Sequence, residues 1–287
     1  MKICTLNTHS IIEKQYEEKL NIFVEAILKE KPDIIALQEV NQSADADFYP
    51  SIFLQNFTRC KNCDVVVRMD NHAARLANLL QEKGLVYYWT WIPVKLGYSI
   101  YDEGLAIFSN KPILNTEQFP ISKIQDYSNW KSRKVLGIKT AHEGGSWFYT
   151  VHMGWWNDEE ELFKNQWDRI LEHIKKGEHA DELTFMMGDF NSPAEVREEG
   201  YDYVKHSGWL DTWNMAKQKD SGVTVEKKID GWKECKSEGM RIDQVWVNQE
   251  ICVERSSVVF NGINYPVVSD HYGVQVEIAT ERDKKDE

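Results

Sequence analysis

The chain has 287 residues, a net charge of -12 at neutral pH and a pI near 5.2. That length is enough for one large α/β domain with a substantial core, and the acidic balance repels polyanions unless a local basic patch attracts them. No run of Lys or Arg forms such a patch, because the basic residues in the tail at 281–287 are interleaved with acids. No apolar run is long enough to span a bilayer, so we expect no membrane partner.

Apolar runs of strand length and composition alternate with amphipathic segments along the chain. Strands are predicted at 2–6, 33–38, 86–92, 104–109, 135–140, 147–151, 183–187, 242–247, 253–260 and 272–278. Helices are predicted at 13–30, 71–83 and 159–175, with a shorter one after Pro193. Regular crossover helices are missing from 85 to 151, so an α/β fold with two packed mixed sheets flanked by helices explains this order better than a doubly wound parallel sheet.

The N-terminal segment and the cysteines indicate the compartment. Residues 1–6 lack the apolar core and the small-residue cleavage site of a secretory signal. Five cysteines, an odd number in a long chain, fit reduced thiols better than a disulfide framework. We therefore predict a cytoplasmic location, while the sequence leaves the oligomeric state open.

Acidic, amide and imidazole side chains lie at the ends of four predicted strands, where α/β proteins build their sites. They are Asn7, Glu39, Asp189, Asn191, Asp270 and His271. Since they come from both ends of the chain, they converge only if one domain spans residues 1–280. We accordingly predict a single domain at 1–280 and a charged tail at 281–287.

Glu39 follows a largely apolar run, and a carboxylate at the mouth of a buried strand suits a hard cation. Mg²⁺ binds through few carboxylates and keeps several waters, so Glu39 with Asn7 and a distant Asp is a sufficient set. Mn²⁺ fits the same oxygen ligands. The alternative is that Glu39 caps a loop and that Asn7 is a turn residue.

Asp189 and Asn191 lie two residues apart, on the same side of an extended segment. A carboxylate there can take a proton from water, and the amide can hold that water or a phosphoryl oxygen. The surrounding Gly-Asp-Phe-Asn-Ser-Pro is equally a good turn sequence, so this segment alone does not decide between the two interpretations.

Two histidines at strand ends each have a candidate carboxylate partner. Asp243 could orient His271, and Glu103 could orient His152. A protonated imidazole stabilises the charge that develops on a transferring phosphoryl group. A lone histidine at a strand end is more often structural, but two such pairs favour a catalytic role.

Seven short segments of the chain resemble, in the same order, the motifs of the endonuclease/exonuclease/phosphatase superfamily, and the resemblance extends from residue 2 to residue 278. The matching segments are Leu6-Asn7, Leu37-Gln38-Glu39-Val40, Glu103-Gly104-Leu105-Ala106-Ile107, Val151-His152, Gly188-Asp189-Phe190-Asn191, Arg241-Ile242-Asp243 and Ser269-Asp270-His271. The resemblance implies a four-layer α/β/β/α sandwich and Mg²⁺-dependent cleavage of a phosphate ester.

The resemblance also implies a role for each matching residue. Asn7, Glu39 and Asp270 match the metal site, and Asp189 and Asn191 match the residues that activate and position the attacking water. His271 matches the imidazole on the scissile phosphate with Asp243 as its orienter, and His152 with Glu103 matches a second such pair of the deoxyribonuclease I-like branch. An acid typical of the DNA-repair branch is replaced by His9, which argues against abasic-site endonuclease activity.

Tryptophans near His152 indicate the substrate class. Trp155 and Trp156 are adjacent and point opposite ways in an extended segment, so at most one of them lines the site. Trp faces suit the apolar faces of sugar rings, and Asn157 is available for hydroxyl groups. The alternative is that these tryptophans only pack the core.

The segments around 101–107, 129–134 and 152–160 also resemble the bacterial sugar-phosphate phosphatase branch that includes maltose 6'-phosphate phosphatase. That finer resemblance implies a phosphomonoesterase acting on a phosphorylated disaccharide or related sugar phosphate, with Arg133 as a phosphate or substrate contact. The runner-up is a nuclease of the same fold, which the excess of 46 acids over 34 bases disfavours. A scaffold that lost catalysis would require degraded motifs, and the matching positions hold suitable residues.

Overall fold

The computed structural model describes residues 1–177, 181–226 and 239–279. Its strands are β1 (Lys2–Asn7), β2 (Ile34–Ser43), β3 (Tyr88–Gly97), β4 (Tyr101–Ser109), β5 (Ile113–Pro120), β6 (Lys134–Thr140), β7 (Ser146–His152), β8 (Thr184–Asp189), β9 (Leu210–Asp211), β10 (Gln218–Lys219), β11 (Asp243–Val247), β12 (Val253–Val259) and β13 (Gly273–Ile278). Its α-helices are α1 (Tyr16–Glu30), α2 (His72–Glu82), α3 (Phe163–Lys176), α4 (Gly200–His206) and α5 (Thr212–Met215).

The strands form two mixed sheets. The first has seven strands in the order β10-β12-β13-β1-β2-β4-β3, and the second has six in the order β5-β6-β7-β8-β11-β9. Strands β1 and β2 are parallel, as are β7 and β8, so each sheet carries a pair of adjacent C-terminal strand ends at its centre. Gln38 links the two sheets, since its Nε2 donates to the hydroxyls of Thr5 and Thr150.

Three apolar layers hold the sheets and helices together. Ile34, Ile107 and Phe148 belong to the core between the sheets. Helices α1 and α2 cover the outer face of the first sheet, and α3 and α4 cover the outer face of the second. The predicted four-layer α/β/β/α sandwich is therefore confirmed.

Three strands were not predicted from the sequence: β5 and the two-residue strands β9 and β10. Strand β5 lies at the edge of the six-stranded sheet and pairs with β6. Most of its residues are polar or exposed, so the run lacks the apolar alternation that indicates a strand. The edge position explains this composition, because an edge strand buries less of its surface than a central one.

Further sequence predictions concern the termini, the cysteines and the membrane. The predicted tail at 281–287 lies outside the described residues. The four cysteines that the structure describes are free thiols, in keeping with the prediction of reduced cysteines. Among the described residues, no helix combines the length and apolar character needed to cross a membrane.

Candidate active site

Strand register in the second sheet brings three of the predicted residues into one row. His152 is the register partner of Asp189 across the parallel pair β7–β8, and Asp189 is the partner of Asp243 across β8–β11. Gly188 precedes Asp189 with a φ of 133°, and a Cβ there would lie 2.2 Å from the Val151 carbonyl oxygen. Only glycine therefore allows β8 to approach β7 this closely beside the site.

The first sheet delivers Asn7 and Glu39 to the same place. The register of β2 shifts between Leu37 and Val40, and Glu39 has a φ of 50°, so a bulge turns its side chain out of the strand pattern. Asn7 Nδ2 then donates to Glu39 Oε1 at 2.9 Å and to Asp189 Oδ2 at 3.1 Å. The Asn7 amide thus joins the two sheets at the site.

The loop before β13 adds an imidazole. His271 Nδ1 lies 2.9 Å from Asp243 Oδ2, and its Nε2 lies 3.9 Å from Asp189 Oδ2. The Ser269 hydroxyl donates to the Asn7 carbonyl oxygen at 2.7 Å and holds this loop against β1. The predicted pair of Asp243 and His271 is therefore in contact, and the role of Asp243 in orienting the imidazole stays a prediction.

We call Asn7, Glu39, His152, Asp189, Asp243 and His271 the catalytic cluster. Burial raises the pKa of Asp189 to about 7, with Asp243 adding to the shift. Burial alone would lower the pKa of His271, but the charges of Asp243 and Asp189 outweigh it and raise the pKa to about 10. At neutral pH, His271 is thus a cation beside a carboxyl group that can take up a proton.

The predicted pairing of His152 with Glu103 is wrong. His152 lies 3.6 Å from Asp189 Oδ2 and 3.9 Å from Glu39 Oε1. Glu103 instead forms an ion pair with Lys95 at 3.0 Å. Burial, together with the nearby cationic side chains of Arg133 and Lys95, holds the pKa of His152 well below its usual range, so this imidazole is neutral.

Asn191 satisfies the turn interpretation of its segment. Its backbone N–H donates to Asp189 Oδ1 at 2.8 Å, and its Nδ2 donates to the Met153 carbonyl oxygen at 3.0 Å. The turn also contributes to the site, because the Asn191 backbone N–H fixes the orientation of the Asp189 carboxylate. A direct contact of Asn191 with a water stays a prediction.

The predicted metal ligands lie in a neighbourhood that suits a divalent cation. Burial raises the pKa of Glu39, and the charges of Glu103 and Asp270 add to it. Asn7 Nδ2 is the one hydrogen-bond donor to the Glu39 carboxylate within the described part of the chain. Crowded carboxylates match the ligands of Mg²⁺ or Mn²⁺, so Glu39 and Asp270 fit such an ion. Asn7 turns its Nδ2 toward the carboxylates while its Oδ1 accepts from the His9 N–H at 3.3 Å, so its role as a metal ligand stays a prediction.

His9 lies beside this candidate metal centre. Its Nδ1 is 2.8 Å from Glu13 Oε1 and 4.0 Å from Asp270 Oδ1. Burial would lower the pKa of His9, but the hydrogen bond with Glu13 and the charge of Asp270 raise it to about 9. At the position where the DNA-repair branch carries an acid, this chain therefore holds a cation.

Arg133 is buried next to the catalytic cluster. Its Nη1 donates to the carbonyl oxygens of Trp130 at 2.8 Å and Ser132 at 3.2 Å, whereas its buried Nε has no hydrogen-bond partner among the described residues. Burial lowers its pKa, while the charges of Glu103 and Asp189 oppose the shift. The guanidinium is thus a cation held by two backbone carbonyl oxygens, with an unpartnered Nε, and close enough to Asp189 for the two charges to interact.

The side chains of Trp155 and Trp156 lie in different surroundings, as expected for adjacent residues. Trp156 packs against Phe163 and Tyr203 of the helices on the second sheet. The Trp155 ring lies 5.6 Å from the ring of Trp130, and its buried Nε1 has no partner within the described ranges. Trp156 is therefore a packing residue, and the prediction of a substrate contact applies to Trp155.

Sequence reasoning missed Trp130, Lys95 and Asn41. Trp130 is 51% exposed and lies beside Arg133 in the chain, which was an available signal. Lys95 interrupts the apolar run of β3, and Asn41 follows Glu39 by two positions. Asn157 is exposed, and its predicted substrate contact stays a prediction.

The chain belongs to the endonuclease/exonuclease/phosphatase family, whose sequence profile matches residues 4–271. An endonuclease/exonuclease/phosphatase family protein from Leptotrichia buccalis C-1013-b is 32% identical, with a TM-score of 0.85 over 98% of this chain and 100% of that chain. The mannosyl-6-phosphatase Bt3783 of Bacteroides thetaiotaomicron VPI-5482 is 17% identical, with a TM-score of 0.65 over 98% and 100% of the two chains. Humanized D. rerio TDP2 is 14% identical, with a TM-score of 0.61 over 98% and 99%.

No match was found among curated proteins. The family match identifies the chain as a member of a group of hydrolases that contains phosphatases and nucleases. The two structures below 25% identity show the shared fold.

Proposed function

We propose that the protein is a metal-dependent phosphatase that hydrolyses the phosphomonoester of a small phosphorylated sugar in the cytoplasm, with maltose 6'-phosphate or a similar phosphorylated disaccharide as its substrate. The observation that carries this proposal is the buried Arg133 guanidinium beside the catalytic cluster. A phosphomonoester carries about two negative charges at neutral pH, whereas a diester carries one. A fixed arginine with an unused donor matches the additional charge.

The cluster supplies the remaining groups for an in-line displacement. Asp189 accepts a proton from the attacking water, and the protonated His271 binds a phosphoryl oxygen. The neutral His152 lies on the side of Asp189 away from Asp243, with its Nε2 3.6 Å from Asp189 Oδ2, and its ring N–H is available to donate to a phosphoryl oxygen. The water oxygen forms a bond to phosphorus while the bond from phosphorus to the sugar oxygen breaks. The sugar oxygen takes up a proton from solvent and Asp189 returns its proton to solvent, which gives inorganic phosphate and the dephosphorylated sugar.

A Mg²⁺ or Mn²⁺ ion held through Glu39, with Asn7 and Asp270, would neutralise charge on the phosphoryl oxygens when bound. No covalent intermediate is required, because no Ser, Cys or Asp stands in a recognisable nucleophile motif. The name of the Bacteroides mannosyl-6-phosphatase supports a sugar phosphate as substrate. The acidic charge balance supports it over DNA.

A screen of phosphate release tests the substrate class. The purified protein is assayed with Mg²⁺ against maltose 6'-phosphate, glucose 6-phosphate, mannose 6-phosphate, inositol phosphates, nucleotides and short duplex DNA. We expect the highest kcat/KM for a sugar phosphate. DNA nicking without phosphate release from any monoester would overturn the proposal in favour of a nuclease.

Metal removal tests the cofactor independently of substrate. Treatment with EDTA should abolish activity, and added Mg²⁺ should restore it and raise Tm, since a ligand at a hundred times its Kd adds about 2.7 kcal/mol of stability. Glu39→Gln should lose the Mg²⁺-induced rise in Tm. Glu172→Gln, a change of an exposed acid on α3, is the control that should keep it. An unchanged rise in the Glu39 variant would exclude this residue as the metal ligand.

A further inference from the structure

Three polar side chains form a row across the first sheet next to Glu39. Asn41 on β2 is the register partner of Glu103 on β4, and Glu103 is the partner of Lys95 on β3. All three are more than nine-tenths buried, with exposures of 0%, 8% and 6%. We call Asn41, Glu103 and Lys95 the Asn41 row.

The row faces the space between the sheets. Leu105 and Ile107, which alternate with Glu103 along β4, belong to the core between the sheets. The apolar contacts of this face thus give way to charged and amide groups at the end where the catalytic cluster lies. The charge of Glu103 raises the pKa of Glu39, and the charge of Lys95 lowers the pKa of His152, which places the row against the cluster.

Asn41 has an unused side-chain amide. Neither its Nδ2 nor its Oδ1 has a hydrogen-bond partner within the described part of the chain, although its side chain is completely buried. A buried polar group without a partner lowers stability, and native proteins keep few of them. An amide whose nitrogen and oxygen both lack a partner, beside the catalytic cluster, indicates that a group of the ligand forms hydrogen bonds with it.

Glu103 and Lys95 form an ion pair, but this pair does not use all of their hydrogen-bonding capacity. Their ion pair at 3.0 Å uses one of the three N–H donors of the ammonium and one acceptor site of the carboxylate. Glu103 is thereby held away from His152, so it does not serve as the orienter of that imidazole. The row as a whole offers donors and acceptors side by side.

We propose that the Asn41 row is the specificity site that binds hydroxyl groups of the sugar carrying the phosphate; this inference rests on the proposed function. A hydroxyl group both donates and accepts, and adjacent hydroxyls need donors and acceptors in alternation. The amide of Asn41, the carboxylate of Glu103 and the ammonium of Lys95 provide that alternation across neighbouring strands. Arg133 and His271 then hold the phosphate, and the row recognises what the phosphate is attached to.

The test compares a substrate that has hydroxyls with one that lacks them. Maltose 6'-phosphate, glucose 6-phosphate and mannose 6-phosphate are screened, and the best of them is compared with p-nitrophenyl phosphate by the ratio of the two kcat/KM values. Asn41→Ala and Glu103→Gln should each lower this ratio about tenfold, mainly by raising KM for the sugar phosphate. Glu103→Gln keeps the side-chain shape, so it decides the matter if Asn41→Ala does not fold.

The control is Thr90→Val, which removes another buried hydroxyl that has no partner among the described residues but lies toward the other end of β3. It should keep the wild-type ratio. If the wild type hydrolyses sugar phosphates but both row variants keep its ratio, the inference is wrong and the proposed function stands. If the wild type releases phosphate from none of the sugar phosphates, the proposed function fails, and the inference fails with it.

Discussion

The catalytic cluster and the Asn41 row are neighbours, yet their polar atoms are satisfied in different ways. Each member of the cluster contacts another member, as with Asn7 to Glu39 and His271 to Asp243. Outside it, both polar atoms of the Asn41 amide and the Nε of Arg133 have no partner within the described ranges, whereas in the cluster this holds for a single atom, Asp243 Oδ1. The cluster is therefore preorganised for one reaction, whereas the row and Arg133 leave groups available to a substrate.

The largest expected effect comes from breaking the cluster at its centre. Asp189→Asn should lower kcat for phosphate release by about 10²-fold or more, because an amide cannot take the proton of the attacking water. Circular dichroism should show an unchanged fold. Asp202→Asn, a buried acid on α4 paired with Arg197, is the matched control and should keep wild-type kcat. Near-normal turnover in the Asp189 variant would exclude it as the base.

A smaller loss of activity should follow when Asp243, the partner of His271, is changed. Asp243→Asn removes the carboxylate that holds His271 protonated and oriented, and loss of such a partner lowers activity about 10- to 100-fold. Steady-state rates of phosphate release measure the effect. The loss should fall mainly on kcat if His271 acts in the transition state. A variant with unchanged kcat would reduce Asp243 to a structural residue.

A substitution at Arg133, outside the catalytic cluster, should weaken substrate binding more than it lowers kcat. Arg133→Met retains an unbranched apolar side chain but removes the charge, and a lost hydrogen bond to a charged group corresponds to about a 10- to 100-fold fall in kcat/KM. Arg169→Met is the control, since Arg169 also donates from Nη1 to a backbone carbonyl. Equal losses in the two variants would show that Arg133 matters for folding alone.

The smallest expected effect concerns the aromatic pair beside Arg133. Trp130→Ala should raise KM for a sugar phosphate about threefold by removing a stacking surface, without a similar change for p-nitrophenyl phosphate. Trp156→Phe, at a tryptophan packed against Phe163 and Tyr203, should lower Tm and leave KM unchanged. A higher KM in the Trp156 variant would restore the role that the sequence predicted for it.

The local sequence predicted the strands correctly where a buried apolar run ends in polar residues. Apolar runs predicted β1, β7 and β8 within two residues at each end, together with the first part of β2, and the polar residues at their ends supply four members of the cluster, Asn7, Glu39, His152 and Asp189. The edge strand β5 escaped prediction because its exposed position imposes no apolar alternation. The last part of β2 was also missed, because it continues beyond the bulge at Glu39 as a run of polar residues.

The pairing of side chains was harder to predict than their presence. Glu103 was expected beside His152, but strand register places it between Asn41 and Lys95. Asn41 and Glu103 are 62 positions apart, and no local pattern relates them. Their contact depends on the antiparallel pairing of β2 with β4.

The sequence by itself determined the family, the layered fold and the residue types at the strand ends, because apolar periodicity and strand-end chemistry are local properties of the chain. The tertiary structure alone decided which of these groups satisfy one another. The bulge at Glu39, the glycine at 188 and the order β2-β4-β3 set those distances. Hydrogen bonds and ion pairs act over a few ångströms, so assigning partners requires the register of strands that are distant in sequence.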